Sequence, residues 1–310
     1  MFWWRRADGD LVKDGTDLRR VMPYVMRRRN ESTVYFEQRI DVRNAEIFVR
    51  AFNEAHPETR ITVFHVILWA SRQGLEEFPA LNRFVAGGRL YQRKGVWISY
   101  SAKQRMKRGA PLLVLKRRFE PAESFVAMVT AMGAQLQAAK FGGGKTSVDS
   151  ELGIVLRLPG FLRRLVFAAY RGLEALGMFP SVFIDNDPLY ASVFLTDLGS
   201  LGMDPAYHHL YEYGTIGIFG AIGRARTELV GDPNTGRFEK QRIATMRWSF
   251  DERVEDGLYA GYGLKYVKRL IEDPVKGGIA NGDDATLARL GAVELDLTGL
   301  PIDSVTVDDA

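Results

Sequence analysis

The sequence predicts an α+β domain, a mixed sheet with flanking helices. Two observations carry that expectation. Apolar residues recur at helical spacing in some segments and alternate in others, and the segments follow one another in no strict strand-helix-strand order. With 310 residues and 46% hydrophobic content, the chain can bury a substantial core, as one large domain or two small ones.

Taken in order, residues 17 to 29 form a helix opened by Asp17, with Leu18, Val21, Met22 and Met26 on its apolar side. It ends in Arg27-Arg28-Arg29, which reads as a solvated face, with an anion site as the alternative. The alternation Val34, Phe36, Gln38, Ile40, Val42 gives a strand. Helices then start at Asn44 and Thr62. His65 lies in the first turn of the second, where a packed histidine is the expectation. Gly87-Gly88 signals a hairpin between 80–84 and 89–93. Strands follow at 96–100 and 111–116, then a helix over 123–140.

The run Phe141-Gly142-Gly143-Gly144-Lys145-Thr146 resembles half of a phosphate loop. However, the position that requires the first glycine is Ala139, and a helix precedes the run where a strand should, so a linker is expected. Residues 151 to 180 give one or two amphipathic helices broken at Pro159-Gly160, apolar on one side and carrying Arg163, Arg164 and Arg171. Such a pair can pack within the protein, line an acyl-binding groove, meet another subunit or lie on a membrane surface. Ala191 to Leu195 is a strand leading to Thr196. An apolar strand, Ile216 to Ile222, is ended by Gly223. Residues 227–230 and 242–250 make a hairpin around Asp232-Pro233-Asn234-Thr235-Gly236. From Trp248 to Gly257 a strand ends in a charge-dense turn that opens a helix stopped by Pro274. Glu252 and Asp256, four apart, can aim two carboxylates into one cleft or form a solvated turn. Beyond 275 the composition predicts a loosely ordered tail.

Composition narrows the function. Lys and Arg number 42 against 38 Asp and Glu, an excess too thin to point to nucleic acid. The absence of cysteine excludes disulfides, thiolate metal sites and a Cys nucleophile, and suits a reducing cytoplasm. His56, His65, His208 and His209 are too few for a histidine-rich metal centre, so no metal is expected. The N-terminus lacks the apolar core of a secretory signal, and no apolar run is long enough to span a bilayer. The expected location is cytoplasmic.

Three segments, 192–199, 217–223 and 249–257, resemble in order and spacing the motifs of one family. It is the catalytic domain of the acyltransferases of 2-oxo acid dehydrogenase complexes, in the chloramphenicol acetyltransferase-like superfamily. The resemblance covers residues 17 to 274 apart from 150–185, which looks like a helical insertion. Residues 1–16 would be an extension, and the lack of a lipoyl segment before residue 17 suggests a stand-alone branch. The resemblance implies a chloramphenicol acetyltransferase-like fold and a homotrimer with active sites between subunits. It also implies an acyl-coenzyme A co-substrate, with Gly199 and Ser200 at its binding site, no bound cofactor, and a small molecule or acyl carrier as the other substrate.

In that family the closing motif is Asp-His-Arg, three residues, then Asp-Gly, and the His is the general base. Here Glu252 takes the His position, while Arg253, Asp256 and Gly257 remain. Thr196 matches the hydroxyl that stabilises the oxyanion. Asp256 would brace the turn by pairing with Arg19 or Arg20. A thiol near pKa ~8.5 passing its proton to a Glu near ~4.3 is uphill by roughly 5.7 kcal/mol, against about 2.7 for a His. Burial beside Asp251, Glu255 and Asp256 would raise the proton affinity of Glu252 towards a usable base. Alternatively, the acceptor is an amine or hydroxyl. His208 or His209 could supply the base instead, or serve structure by bonding a backbone carbonyl or Glu212. The implied function is transfer from an acyl-thioester; the alternative is an inactive trimeric scaffold or ligand-binding member.

Overall fold

The computed structural model describes residues 6–103, 112–141, 155–231 and 236–299. The elements in chain order are β1 (Gly9–Leu11), α1 (Asp17–Val25), β2 (Thr33–Asp41), α2 (Arg43–Ala55), α3 (Val63–Glu77), β3 (Arg83–Ala86), β4 (Arg89–Arg93), β5 (Val96–Lys103) and β6 (Leu112–Phe119). They continue with α4 (Phe125–Phe141), α5 (Gly160–Ala175), α6 (Ser181–Asn186), β7 (Val193–Asp197), β8 (Ile218–Gly231), β9 (Phe238–Asp251), α7 (Gly257–Glu272) and α8 (Asp284–Gly299). The six-stranded sheet has the order β2-β9-β8-β7-β5-β6, and β1, β4 and β3 form a second, smaller one. In the large sheet β7 runs parallel to both neighbours and the other pairs are antiparallel, so the sheet is mixed, as the segment order predicts.

Period-two alternation decides what each face meets. Ile98, Tyr100, Val193, Leu195, Ile218, Met246, Trp248 and Phe250 point into the main core, which they share with α2, α3, α4 and α7. The alternate residues Phe194, Phe219 and Ala221 point the other way, into a smaller cluster closed by Ala191, Leu210 and Ile216. That second face is therefore covered by loop and carries the polar side chains of the site.

Several expectations need correction. Gly223 does not end a strand: β8 runs on to Gly231, with a register shift between Ile222 and Ala225 that absorbs the glycine. Residues 9–11, read as an extension, pair with β4, and Arg6 beside them is buried. Residues 275–291 are packed where a loose tail was expected, and 300–310 lie outside the described residues. Ile279 and Ala280 are buried, and Asp283 caps α8 by accepting from Thr286 N at 3.1 Å, while also accepting from the Thr286 hydroxyl at 2.6 Å and meeting His56 Nε2 at 3.0 Å. Composition misread this segment because its burial rests on few apolar residues. Arg29 is buried, unlike the exposed Arg27 and Arg28, so the arginine run is not a uniform solvated face. Gly142 to Thr146 and the turn residues 232–235 lie outside the described residues.

Helix α5 has no buried residue, and Phe161 and Leu165 are 70% and 64% exposed. Its attachment runs through Tyr170, which stacks on Tyr213 at 4.6 Å and meets the Tyr190 hydroxyl. No helix among the described residues is long and apolar enough to cross a membrane.

His65 illustrates how a local signal becomes an energetic one. The Thr62 N–H donates to its Nδ1 at 3.1 Å, and burial lowers its pKa to about 4. The unfolded chain takes up a proton near pH 6.5 that the folded chain refuses until about pH 4. The penalty is absent above pH 6.5 and grows as pH falls through that window. His65→Gln keeps an acceptor at the same helix position. Urea midpoints of the two proteins should agree at pH 8, and the variant should lose less stability between pH 6.5 and 4.

Candidate functional site

The end of β9 is anchored by a buried ion cluster. Asp251, 1% exposed, accepts from Arg253 Nε at 2.8 Å and Nη2 at 2.7 Å and from the Ser32 hydroxyl at 2.9 Å, with Arg29 Nε at 3.6 Å. Burial lowers the pKa of the Arg29 guanidinium, and the Asp251 charge opposes that shift. Arg253 also reaches the carbonyls of Met26 and Arg27, both at 3.3 Å, so it ties the turn to the end of α1.

On this anchor Glu252 is held by its backbone. Its N–H donates to Ser32 O at 3.0 Å, and its carbonyl accepts from Arg19 Nη1 at 2.6 Å. Among the described residues its carboxylate makes no hydrogen bond or ion pair. The neighbouring carboxylates are engaged elsewhere. Glu255 meets Arg19 at 3.3 Å and Arg83 at 2.9 Å, and Asp251 is held by Arg253 and Arg29. The crowding of uncompensated like charge expected around Glu252 is therefore not there.

Asp256 caps α7, its Oδ1 accepting from Tyr259 N at 2.8 Å, and meets Arg19 only at 3.9 Å. Arg20 pairs with Asp17 at 3.9 Å on the exposed side of α1 and takes no part in the turn. A Cβ at Gly257 would meet nothing within 4 Å, so packing places no demand on that glycine. The brace of the turn is thus Asp251 with Arg253, Arg29 and Arg19.

Thr196, near the end of β7, shares a 2.7 Å hydrogen bond with Ser101 of β5. Beyond it the chain turns tightly. Asp197 Oδ1 accepts from Ser200 N and the Ser200 hydroxyl donates to Asp197 O, both at 3.0 Å, while burial pushes the Asp197 carboxyl up. A Cβ at Gly199 would lie 2.6 Å from the Gly223 carbonyl oxygen, so this glycine is required by the close approach of the turn to β8. Local packing accounts for both Gly199 and Ser200.

His208 stacks on Phe219 at 3.9 Å with its Nδ1 2.6 Å from His209 O, and His209 Nδ1 lies 3.0 Å from Leu210 O. Burial lowers the pKa of His208, and its carbonyl accepts from the Ser249 hydroxyl. Glu212 bonds the N–H groups of Arg29 and Asn30 and neither histidine. His208 therefore joins the 208–211 segment to the second sheet face, and His209 bonds and stacks within that segment.

The register separates Thr196 from Glu252. Thr196 pairs with Ala221, which pairs with Arg247, and Glu252 lies five residues beyond Arg247 along β9. At about 3.3 Å per residue that is about 17 Å, on top of two strand spacings across the sheet. The expectation that the two groups face each other thus fails within one chain, where they occupy opposite ends of the sheet.

Sequence reasoning passed over Ser101, Ser32 and Arg83. The alternation Ile98, Ser99, Tyr100, Ser101 was a usable signal for the first, because it puts both serines on the face that carries Thr196. Among the described residues no group of three or more His, Asp or Glu could hold a metal ion.

No protein-family model matches the sequence, and no curated protein matches it. Solved structures do match. A probable dihydrolipoamide acetyltransferase from Listeria monocytogenes superposes with a TM-score of 0.55 at 16% identity, covering 85% of this chain and 95% of that one. The dihydrolipoamide acetyltransferase of Azotobacter vinelandii gives 0.55 at 18%, covering 86% and 93%. A truncated catalytic core of the 2-oxoacid dehydrogenase multienzyme complex from Thermoplasma acidophilum gives 0.52 at 15%, covering 86% and 99%. The chain has the fold of these acyltransferase catalytic domains, as the resemblance implies.

Proposed function

We propose that this protein transfers an acyl group from an acyl-thioester, such as acyl-coenzyme A, to an amine or hydroxyl acceptor. The site is built from Glu252 of one copy and Thr196 of another. The observation that carries the reading is the Glu252 carboxylate, without a partner among the described residues, on a turn whose backbone is fixed by Arg19 and Ser32. An unpartnered acid on so heavily braced a turn is poised to take a proton from something that arrives. The fold shared with dihydrolipoamide acetyltransferases supports acyl transfer as the reaction.

In the proposed step the acceptor nitrogen or oxygen attacks the thioester carbonyl. A C–N or C–O bond forms, the carbonyl oxygen becomes an oxyanion held by the Thr196 hydroxyl, and the C–S bond then breaks. The acceptor proton passes to Glu252 and from there to the leaving thiolate. Ser101, bonded to Thr196, fixes the direction of that hydroxyl. A carboxylate suits an acceptor that releases its proton late, and the guanidinium partners of Asp251 and Glu255 favour this acceptor class over a thiol. A homotrimer, as the family resemblance implies, would supply the second copy.

The test is thiol release from short- and long-chain acyl-coenzyme A with amine, hydroxyl and dihydrolipoamide acceptors. Release should depend on an amine or hydroxyl and exceed that with the dithiol. The absence of turnover with every pair would contradict catalysis and favour a scaffold.

A further inference from the structure

Helix α5, with the β3–β4 hairpin and the chain after α1, lines an open cavity of about 310 Å3. Its charged lining is Arg27, Arg29, Arg171 and Arg253 against Glu174 and Glu212. The volume lies at the lower end of the range that small-molecule sites occupy. One wall is tightly closed: Gly87 has φ +56°, and a Cβ there would lie 2.2 Å from Ala175 O of α5.

Internal contacts leave the positive charge only partly answered. Glu212 is occupied with the N–H groups of Arg29 and Asn30, at 3.2 and 3.0 Å. Arg253 is held by Asp251. Arg29 is 6% exposed; its Nη1 donates to Tyr211 O at 2.6 Å, and its Nε, 3.6 Å from Asp251 Oδ2, makes no hydrogen bond. Arg27 and Arg171 make no ion pair among the described residues. Glu174 Oε1 is also buried without a hydrogen-bond partner, 3.6 Å from Arg6 Nη1. Burial pushes this carboxyl up, and the Arg6 charge opposes that shift.

We infer that this cavity binds a small molecule through an oxyanion group, a carboxylate or phosphate held by Arg27, Arg29 and Arg171. Planar guanidinium groups match both oxyanions in bidentate geometry, and a ligand oxygen would complete the hydrogen bonding of the Arg29 guanidinium. The inference does not depend on the transfer reaction. Arg171 and Glu174 belong to the segment read as an insertion, so the cavity owes two of its charged walls to that helix.

Titration calorimetry on the full chain, at fixed ionic strength with sodium chloride as control, tests it with inorganic phosphate and with succinate as probes. The expected result is saturable one-to-one binding of at least one probe, with Kd below about 1 mM. That binding should weaken at least tenfold in both Arg27→Gln and Arg171→Gln and stay unchanged in Glu252→Gln. A preference for phosphate or for succinate tells which oxyanion the natural ligand carries. Failure of both probes to bind above chloride, or binding unaltered by both arginine substitutions, would overturn the inference.

Discussion

Asp251→Asn should cost about 3–5 kcal/mol of folding stability, read as a lowered urea midpoint with an unchanged slope. The substitution keeps the shape of the side chain and leaves an oxygen for the Ser32 hydroxyl. It removes the carboxylate that pairs with both Arg253 and Arg29, which are 3% and 6% exposed. Two buried guanidiniums would then lose their ion-pair partner, which costs far more than losing an exposed pair. Asp251→Asn combined with Arg29→Met should recover part of the loss, because one of the two buried charges goes with it.

Glu252→Gln, one residue on, should behave in the opposite way. Its carboxylate supports no contact among the described residues, so the urea midpoint should move by less than about 0.5 kcal/mol. The acyl-transfer rate should fall roughly 10²- to 10⁴-fold, the range for removal of a general base. Neighbouring residues with such different signatures separate the brace of the turn from its chemistry. A large loss of stability in Glu252→Gln would mean that the carboxylate has a structural partner.

Much of the fold was legible because burial follows period. The alternation in 33–42, 96–100 and 191–195 set the strands, and the helical recurrence in 44–55, 62–77 and 258–270 set the helices that cover one sheet face. Two kinds of feature escaped. Gly223 reads as a strand end, yet a glycine inside a long strand can equally mark a bulge, and only the pairing of β8 with β9 distinguishes the two. The segment after Pro274 reads as loose because its order depends in part on Asp283 meeting His56, 227 residues away in sequence.

The sequence offers candidate site residues and not their geometry. Glu252, Asp256, Thr196 and Arg19 could be picked out, but spacing along a chain does not give strand register. Register is what places Thr196 and Glu252 at opposite ends of the sheet. The Asp251 cluster was invisible for a related reason: Arg29, Ser32 and Asp251 are far apart in sequence, and Asp251 looked like one more acid in a charged turn. Arg29 in turn was concealed in a run of three arginines whose other two members are exposed.

The most direct test mixes two inactive variants. Thr196→Ala and Glu252→Gln copies, each carrying a different tag, are co-expressed, and oligomers that retain both tags are purified. If each site takes Glu252 from one copy and Thr196 from another, every homotrimer that carries both tags holds one intact site in three, and roughly a third of native activity should return. Mixed oligomers as inactive as either parent would contradict a site shared between copies.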